Sequence, residues 1–273
     1  MERMLEGKVA IITGSGRGIG QAAAKMFARE GAKVVVSDID PEPAQETVAD
    51  IKQEGGEAIS YVGDVTSSGF AEHLLKAAAD TWGAIHILVN NAGYTWDKMV
   101  HNMSDEMWDA IFDIHLKAPF RIIRAASPYF RDAAKKEQAE GKVVMRKIVN
   151  VSSISGTSGG VGQANYSSAK AGIIGLTKTI AREWGRFNVT SNAVAFGWIE
   201  TRLTAPKEKG TKIERLGEEV ALGIPEERRR ALTAAIALGR PGTVEEAAGA
   251  IFFLASPLSD YVTGETLLVT GGR

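Results

Sequence analysis

Two textures alternate along the chain. Short, near-continuous apolar runs, mostly β-branched, stand at Lys8 to Thr13, Lys33 to Ser37, Ala58 to Val62, His86 to Asn90, Ile148 to Val151, Val189 to Val194 and Glu265 to Thr270. Between them lie longer stretches of helical character: Gln21 to Glu30, about Pro41 to Glu54, about Ser68 to Trp82, Ser104 to about Arg131, the segment bearing Tyr166 that runs to about Phe187, and Thr243 to Leu254. Strands this apolar are covered on both faces, and single intervening helices imply parallel pairing with right-handed crossovers. The expected fold is α/β: a Rossmann-type doubly wound parallel sheet of about seven strands, with helices on both faces. No repeat, low-complexity tract or linker interrupts residues 1–273, so the chain reads as one domain.

Some stretches depart from this rhythm. Pro119 and Pro128 should bend or interrupt the helix that starts at Ser104. The charged run from Asp132 to Lys147 reads as a solvated extension of that helix plus a turn. Residues 201–230 are polar and hold Pro206, Gly210, Gly217, Gly223 and Pro225, which predicts an irregular lid or substrate loop. Thr243-Val-Glu-Glu246 fits a capping box that starts the last helix.

A parallel sheet of this kind binds ligands outside the carboxyl ends of its strands. The first apolar run is followed at once by Gly14-Ser15-Gly16-Arg17-Gly18-Ile19-Gly20 and then a helix, the context in which a glycine turn lets backbone N–H groups approach a pyrophosphate. The second run ends at Asp38. A carboxylate there suits a ribose diol and repels a 2′-phosphate, which favours NAD over NADP; the alternative is that Asp38 caps the helix near Pro41. Arg17 suits a phosphate of either cofactor.

The fifth run ends at Ser153, and thirteen residues later comes Tyr166-x-x-x-Lys170. Residues four apart share a helix face. A cation beside a phenol lowers the phenol's pKa towards neutrality, where acid/base catalysis is most effective, and Ser153 adds a hydroxyl to hold the same substrate oxygen.

Composition then removes other chemistries. The 32 basic and 33 acidic residues give no bias towards nucleic acid or an anionic membrane. Cysteine is absent, and His73, His86, His101 and His115 are scattered, so no disulfide, thiol nucleophile or metal site is expected. No run approaches the roughly 18 apolar residues of a membrane span, and Met1 to Gly7 lacks a signal-peptide core. A cytoplasmic protein acting on a small-molecule alcohol or ketone, with a borrowed cofactor, is the expectation.

With these residues in order, the chain resembles the short-chain dehydrogenase/reductase family, in particular its 3-oxoacyl-carrier-protein-reductase-like members. The resemblance rests on Thr13-Gly14-x-x-x-Gly18-x-Gly20, Asp64-Val65, Asn90-Asn91-Ala92-Gly93, Ser153, Tyr166-x-x-x-Lys170 and Val269-Thr270-Gly271-Gly272. It implies Tyr166 as general acid/base, Lys170 lowering its pKa and holding the nicotinamide ribose, and Ser153 orienting the substrate oxygen. It further implies Asp64 and Val65 at the adenine, Asn91, Ala92 and Gly93 beside the cofactor, Ile199 and Thr201 at the carboxamide, and a homo-oligomer, dimer or tetramer, built on the long helix and the Tyr166 helix.

Two positions depart from the family pattern. His115 replaces the usual active-site Asn, where it either leaves a main-chain water relay intact or joins the relay by titrating near neutrality. Phe196 replaces a proline, and with Trp198, Tyr94 and Trp96 it either packs or lines the pocket for a ring-containing substrate. The leading reading is an NAD(H)-dependent alcohol/ketone oxidoreductase. The second is an NADPH-dependent 3-oxoacyl-thioester reductase, acting on acyl-carrier-protein or CoA substrates. The third is a catalytically silent nucleotide-binding module.

Overall fold

The computed structural model describes residues 3–210, 212–215 and 217–273. The apolar runs form β1 (Val9–Thr13), β2 (Lys33–Asp38), β3 (Glu57–Val62), β4 (Ile87–Asn90), β5 (Arg146–Ser153), β6 (Val189–Phe196) and, last, β9 (Thr266–Val269). All pair in parallel, in the order β3-β2-β1-β4-β5-β6-β9. The order reverses between β1 and β4, which opens a crevice at their carboxyl ends.

The helices are α1 (Gly18–Arg29), α2 (Pro41–Gln53), α3 (Phe70–Trp82), α4 (Asp105–Phe112), α5 (Ala118–Ala125), α6 (Ala133–Ala139), α7 (Ser155–Ser158), α8 (Ala164–Trp184), α9 (Glu226–Ala234) and α10 (Val244–Ala255). Successive strand residues point to opposite faces, and the two faces carry separate cores. Ala10, Ile12, Val34, Val36 and Val89 pack with Phe27 and Ile251 on one side. Val9, Ile11, Val35 and Leu88 pack with Leu74, Ile122, Phe130 and Trp184 on the other.

The chain stays helical from Asp105 to Ala125 because a π turn at Asp113–Lys117 absorbs the disruption; Pro119 then falls in the first turn of α5, where its missing N–H costs nothing. A second π turn at Pro128–Asp132 does the same for Pro128. The charged run is solvated only in part. Arg146 and Lys147 are the first residues of β5, and both are buried. Arg146 makes a two-bond fork with Glu137, 2.7 Å each, and Lys147 reaches Asp260 at 2.6 Å. Paired charges can start a buried strand where isolated ones cannot.

The stretch expected to be irregular has structure of its own. It holds a short antiparallel hairpin, β7 (Lys212–Arg215) and β8 (Glu218–Ala221), and then α9; positions 211 and 216 of the expected loop lie outside the described residues. Arg229 of α9 latches this segment to the loop after β6. It donates to the Thr204 carbonyl, pairs with Glu200 at 3.0 Å and lies 4.9 Å over the Trp198 ring. The capping box forms: Glu246 N–H donates to Thr243 Oγ1 at 3.2 Å, and Thr243 N–H to Glu246 at 2.8 Å. Among the described residues no helix is long and apolar enough to cross a membrane.

Candidate active site

A cleft of about 550 Å³ opens at the crevice between β1 and β4. Of the residues expected at a cofactor, Gly14, Arg17, Gly18, Ile19, Asp38, Asp64, Val65, Asn91, Ala92, Gly93 and Thr201 line it. Ser15, Gly20 and Ile199 do not. Ser15 is buried, its hydroxyl donating to the Ile12 carbonyl at 2.6 Å and accepting from Ser37 N–H at 3.1 Å, so it ties β1 to β2. Gly20 is packed so tightly against Gly14 that a Cβ there would collide with the Gly14 carbonyl. Ile199 is 5% exposed within the core.

The turn fits a pyrophosphate. Gly14 has φ +62°, and a Cβ on it would stand 2.7 Å from Ala92 Cα, so only glycine lets the β1 and β4 loops approach this closely. Asn91 fixes that approach by donating to the Thr13 and Gly14 carbonyls at 3.0 and 2.9 Å. No side chain caps the start of α1 and no acidic residue lies in its first turn. Its N–H groups and positive dipole end are therefore available to an anion.

Asp38 does not cap α2; that position belongs to Asp40. Instead Asp38 accepts from Gly16 N–H at 2.9 Å and Asp40 N–H at 3.2 Å, and it faces the cleft. Asp64 accepts from the Thr66 N–H and hydroxyl at 2.8 and 2.7 Å, and Val65 is buried beside it.

Ser153, Tyr166 and Lys170 meet next to this cleft without lining it; the link runs through Gly93 and Tyr94. Starting α8 at Ala164 puts Tyr166 in its first turn and Lys170 one turn on. The Ser153 hydroxyl accepts from Ser155 N–H at 3.1 Å and acts to lower the pKa of the Tyr166 phenol. Lys170 Nζ donates to the Val151 carbonyl at 2.7 Å and lies 5.6 Å from the Tyr166 ring centre.

The expected electrostatics are overturned. Burial pushes the Tyr166 phenol up to about 12, opposed by the Ser153 hydroxyl and aided by Asp97. Burial also pulls the Lys170 ammonium down to about 7. The same low-dielectric surroundings that penalise the phenolate leave its neighbour about half charged at pH 7, a weaker cation than the spacing suggested.

His115 sits in the π turn, 4% exposed, in a slot that exists because Gly93 lacks a Cβ. Its Nε2 lies 2.7 Å from the Tyr94 carbonyl, which can only accept, so Nε2 carries the hydrogen and Nδ1 is an acceptor with no partner among the described residues. The ring meets Tyr166 edge-on at 5.0 Å. Burial, then Lys170, hold it well below 6.5, so it stays neutral and the expected titration near neutrality does not occur.

Sequence reasoning missed the supports of this group. Asn165, fully buried, donates to the Trp96 and Met107 carbonyls at 3.1 Å each and accepts from Tyr166 N–H at 2.7 Å, tying α8 to α4. Gln163 accepts from Ser155 Oγ at 2.9 Å and donates to Asp97 at 3.0 Å; burial raises that carboxyl. The available signal was the polar pair Gln163 and Asn165 immediately before the tyrosine, a place where an all-apolar helix start would serve packing alone. The four aromatics largely pack: Tyr94, Phe196 and Trp198 are 5–7% exposed, and Trp96 joins the Tyr94–Ile111 cluster. Ile213 of the hairpin packs on that same cluster beside Tyr166.

Residues 14–273 match the family profile described as Enoyl-(Acyl carrier protein) reductase. The 3-oxoacyl-[acyl-carrier-protein] reductase FabG of Vibrio cholerae is 41% identical over 268 residues, 98% of each chain. The protein of that name from Thermotoga maritima is 40% identical over 268 residues, again 98% of each. That of Escherichia coli K12 is 36% identical over 267 residues, 98% of this chain and 97% of its own.

Proposed function

The chain belongs to the short-chain dehydrogenase/reductase family, nicotinamide-dependent oxidoreductases acting on CH–OH groups, and from that premise we propose that it reduces the ketone of a 3-oxoacyl thioester to a secondary alcohol with NADH. One observation carries the chemistry, the meeting of Ser153, Tyr166 and Lys170 beside the cleft at the carboxyl end of β5, and the names of the relatives, reductases, support the direction. Reduction of a ketone needs a proton donor at the oxygen. Of the readings open from sequence, the names of the relatives favour the thioester over a general alcohol or ketone.

Bound in the cleft, a reduced nicotinamide supplies the hydride. Ser153 would hold the carbonyl oxygen, and Tyr166 would donate its proton as that oxygen gains charge. Lys170, fixed by the Val151 carbonyl, would orient the phenol and the nicotinamide ribose. The start of α1 and the turn from Gly14 would hold the pyrophosphate, Asp38 the adenine ribose, Asp64 and Val65 the adenine, and Asn91, Ala92, Gly93 and Thr201 the nicotinamide end. The Asp38 carboxylate facing the cleft supports NADH over NADPH.

Of the four aromatics only Tyr94 lines the cleft, which gives little support to a ring-containing substrate. Exposed Trp108 and Phe120 on the α4–α5 face support self-association there.

Turnover of an acetoacetyl thioester, on CoA and on acyl carrier protein, set beside cyclic and linear ketones and with NADH or NADPH, tests the proposal. The thioester with NADH should be fastest. Faster turnover of cyclic ketones would overturn the substrate, and faster turnover with NADPH the cofactor.

A further inference from the structure

The glycine turn carries one cation, Arg17, and that cation is already engaged. Its Nη1 lies 2.5 Å from Oδ2 of Asp40, with both side chains about half exposed at 44% and 48%. Both residues line the cleft, as does Asp38. Asp40 is in turn fixed through its N–H to Asp38 at 3.2 Å, and Asp38 through its other oxygen to Gly16 N–H at 2.9 Å. Gly16 and Arg17 are neighbours in the chain, so the four residues close a ring. The ring is tight: a Cβ on Gly16 would meet Asp38 Oδ2 at 2.9 Å and Pro43 at 3.0 Å.

We propose that Asp40 is a second cofactor-specificity residue, which holds Arg17 away from the 2′-phosphate of NADP(H) and sets a further carboxylate beside Asp38. The inference deepens the reading above and rests on Asp38 marking the adenine-ribose end. A guanidinium is the side chain best shaped to neutralise a phosphate. To do so here Arg17 must leave Asp40. An exposed ion pair resists that by up to about fivefold in an equilibrium constant. Once released, the Asp40 carboxylate stands unpaired near a dianion, and like charges raise the penalty further. NAD(H), with a hydroxyl in place of that phosphate, asks nothing of Arg17 at this end.

A double-mutant cycle tests this by binding alone, with the nucleotides' own fluorescence as the readout. The quantity followed is the ratio of NADH to NADPH dissociation constants for wild type, D40N, R17Q and the double variant; taking a ratio cancels general effects on the pyrophosphate. Asp40→Asn keeps the N–H to Asp38 and removes the charge. It should shift the ratio about tenfold towards NADPH. Arg17→Gln alone should move it less than about twofold, because the guanidinium is already held, but in the D40N background it should erase the gain. A ratio unchanged by D40N, or a gain that survives the loss of Arg17, would overturn the proposal. A wild type that already binds NADPH more tightly than NADH would defeat the Asp38 reading, while the cycle still decides whether Asp40 restrains Arg17.

Discussion

The two ends of the active cleft use charge in opposite ways. At the β2 end, Arg17, Asp38 and Asp40 are half exposed and paired with one another or with backbone N–H groups. At the β5 end, Lys170 and His115 are buried and Tyr166 partly so; the phenol is raised to about 12, the ammonium lowered to about 7 and the imidazole kept neutral. Exposed charges discriminate between ligands at modest cost to the fold, since solvent screens them. Enclosed groups trade charge for reactivity: each sits in the protonation state that burial favours, and any step that changes that state is felt strongly. Selectivity and chemistry can therefore be altered separately.

The largest expected effect breaks one end and spares the other. Tyr166→Phe removes the phenolic oxygen alone and keeps the ring that packs against His115. Turnover should fall by about a thousandfold or more, in the range of losing a positioned proton donor together with its hydrogen bond. The NADH dissociation constant, measured by fluorescence, should stay within about twofold. Retained turnover would remove Tyr166 from the chemistry, and lost NADH binding would show that the two ends are not separable.

The ends also differ in how well the sequence announced them. Strand–turn–helix alternation, Gly14 to Gly20, Asp38, Ser153, Tyr166 and Lys170 were all legible, because backbone periodicity and glycine sterics are local properties. Burial is not local, and it decided what sequence missed. The spacing of Tyr166 and Lys170 suggested a lowered phenol pKa; only the packing around both shows desolvation outweighing the pair. Arg146 and Lys147 looked solvated because partners as distant as Asp260 lie far along the chain. Pro119 looked like a break because no pattern of side chains reveals a π turn. No local pattern pairs Asp40 with Arg17, 23 positions earlier in the chain; the fold alone brings them together.

Lys170 allows the comparison to be sharpened through stability. Its pKa is about 7 in the folded protein and about 10.4 in an unfolded chain. Between those values the unfolded chain holds a proton that the folded one has lost, so stability rises with pH across the window. The contribution is complete above the unfolded value and is lost as pH falls towards 7. Lys170→Met keeps most of the volume without the titration. Denaturant midpoints of wild type and variant at pH 7, 8.5 and 10 should therefore diverge, the wild type gaining on the order of 1.4 kcal/mol per pH unit relative to the variant. Asp40→Asn, at the solvent-screened end, should track the wild type across the same range. Parallel curves for K170M would mean that the ammonium is solvated after all.

The smallest effect is expected at His115. A neutral imidazole with its one hydrogen on the Tyr94 carbonyl offers shape and a fixed donor, and burial, by holding its pKa well below 6.5, keeps it neutral at pH 7. His115→Asn, which restores the residue usual in the family, should reduce kcat/KM by about tenfold or less. The shorter side chain leaves space against Gly93 and Tyr166, so a loss of about 1–3 kcal/mol in stability accompanies it. The decisive readout is the pH profile. An inflection near 7 from Lys170 should persist in both proteins, with no further step separating them. If the wild type shows a second inflection between pH 5 and 7 that H115N lacks, His115 exchanges protons during turnover, and the enclosed end of the cleft is wetter than its packing implies.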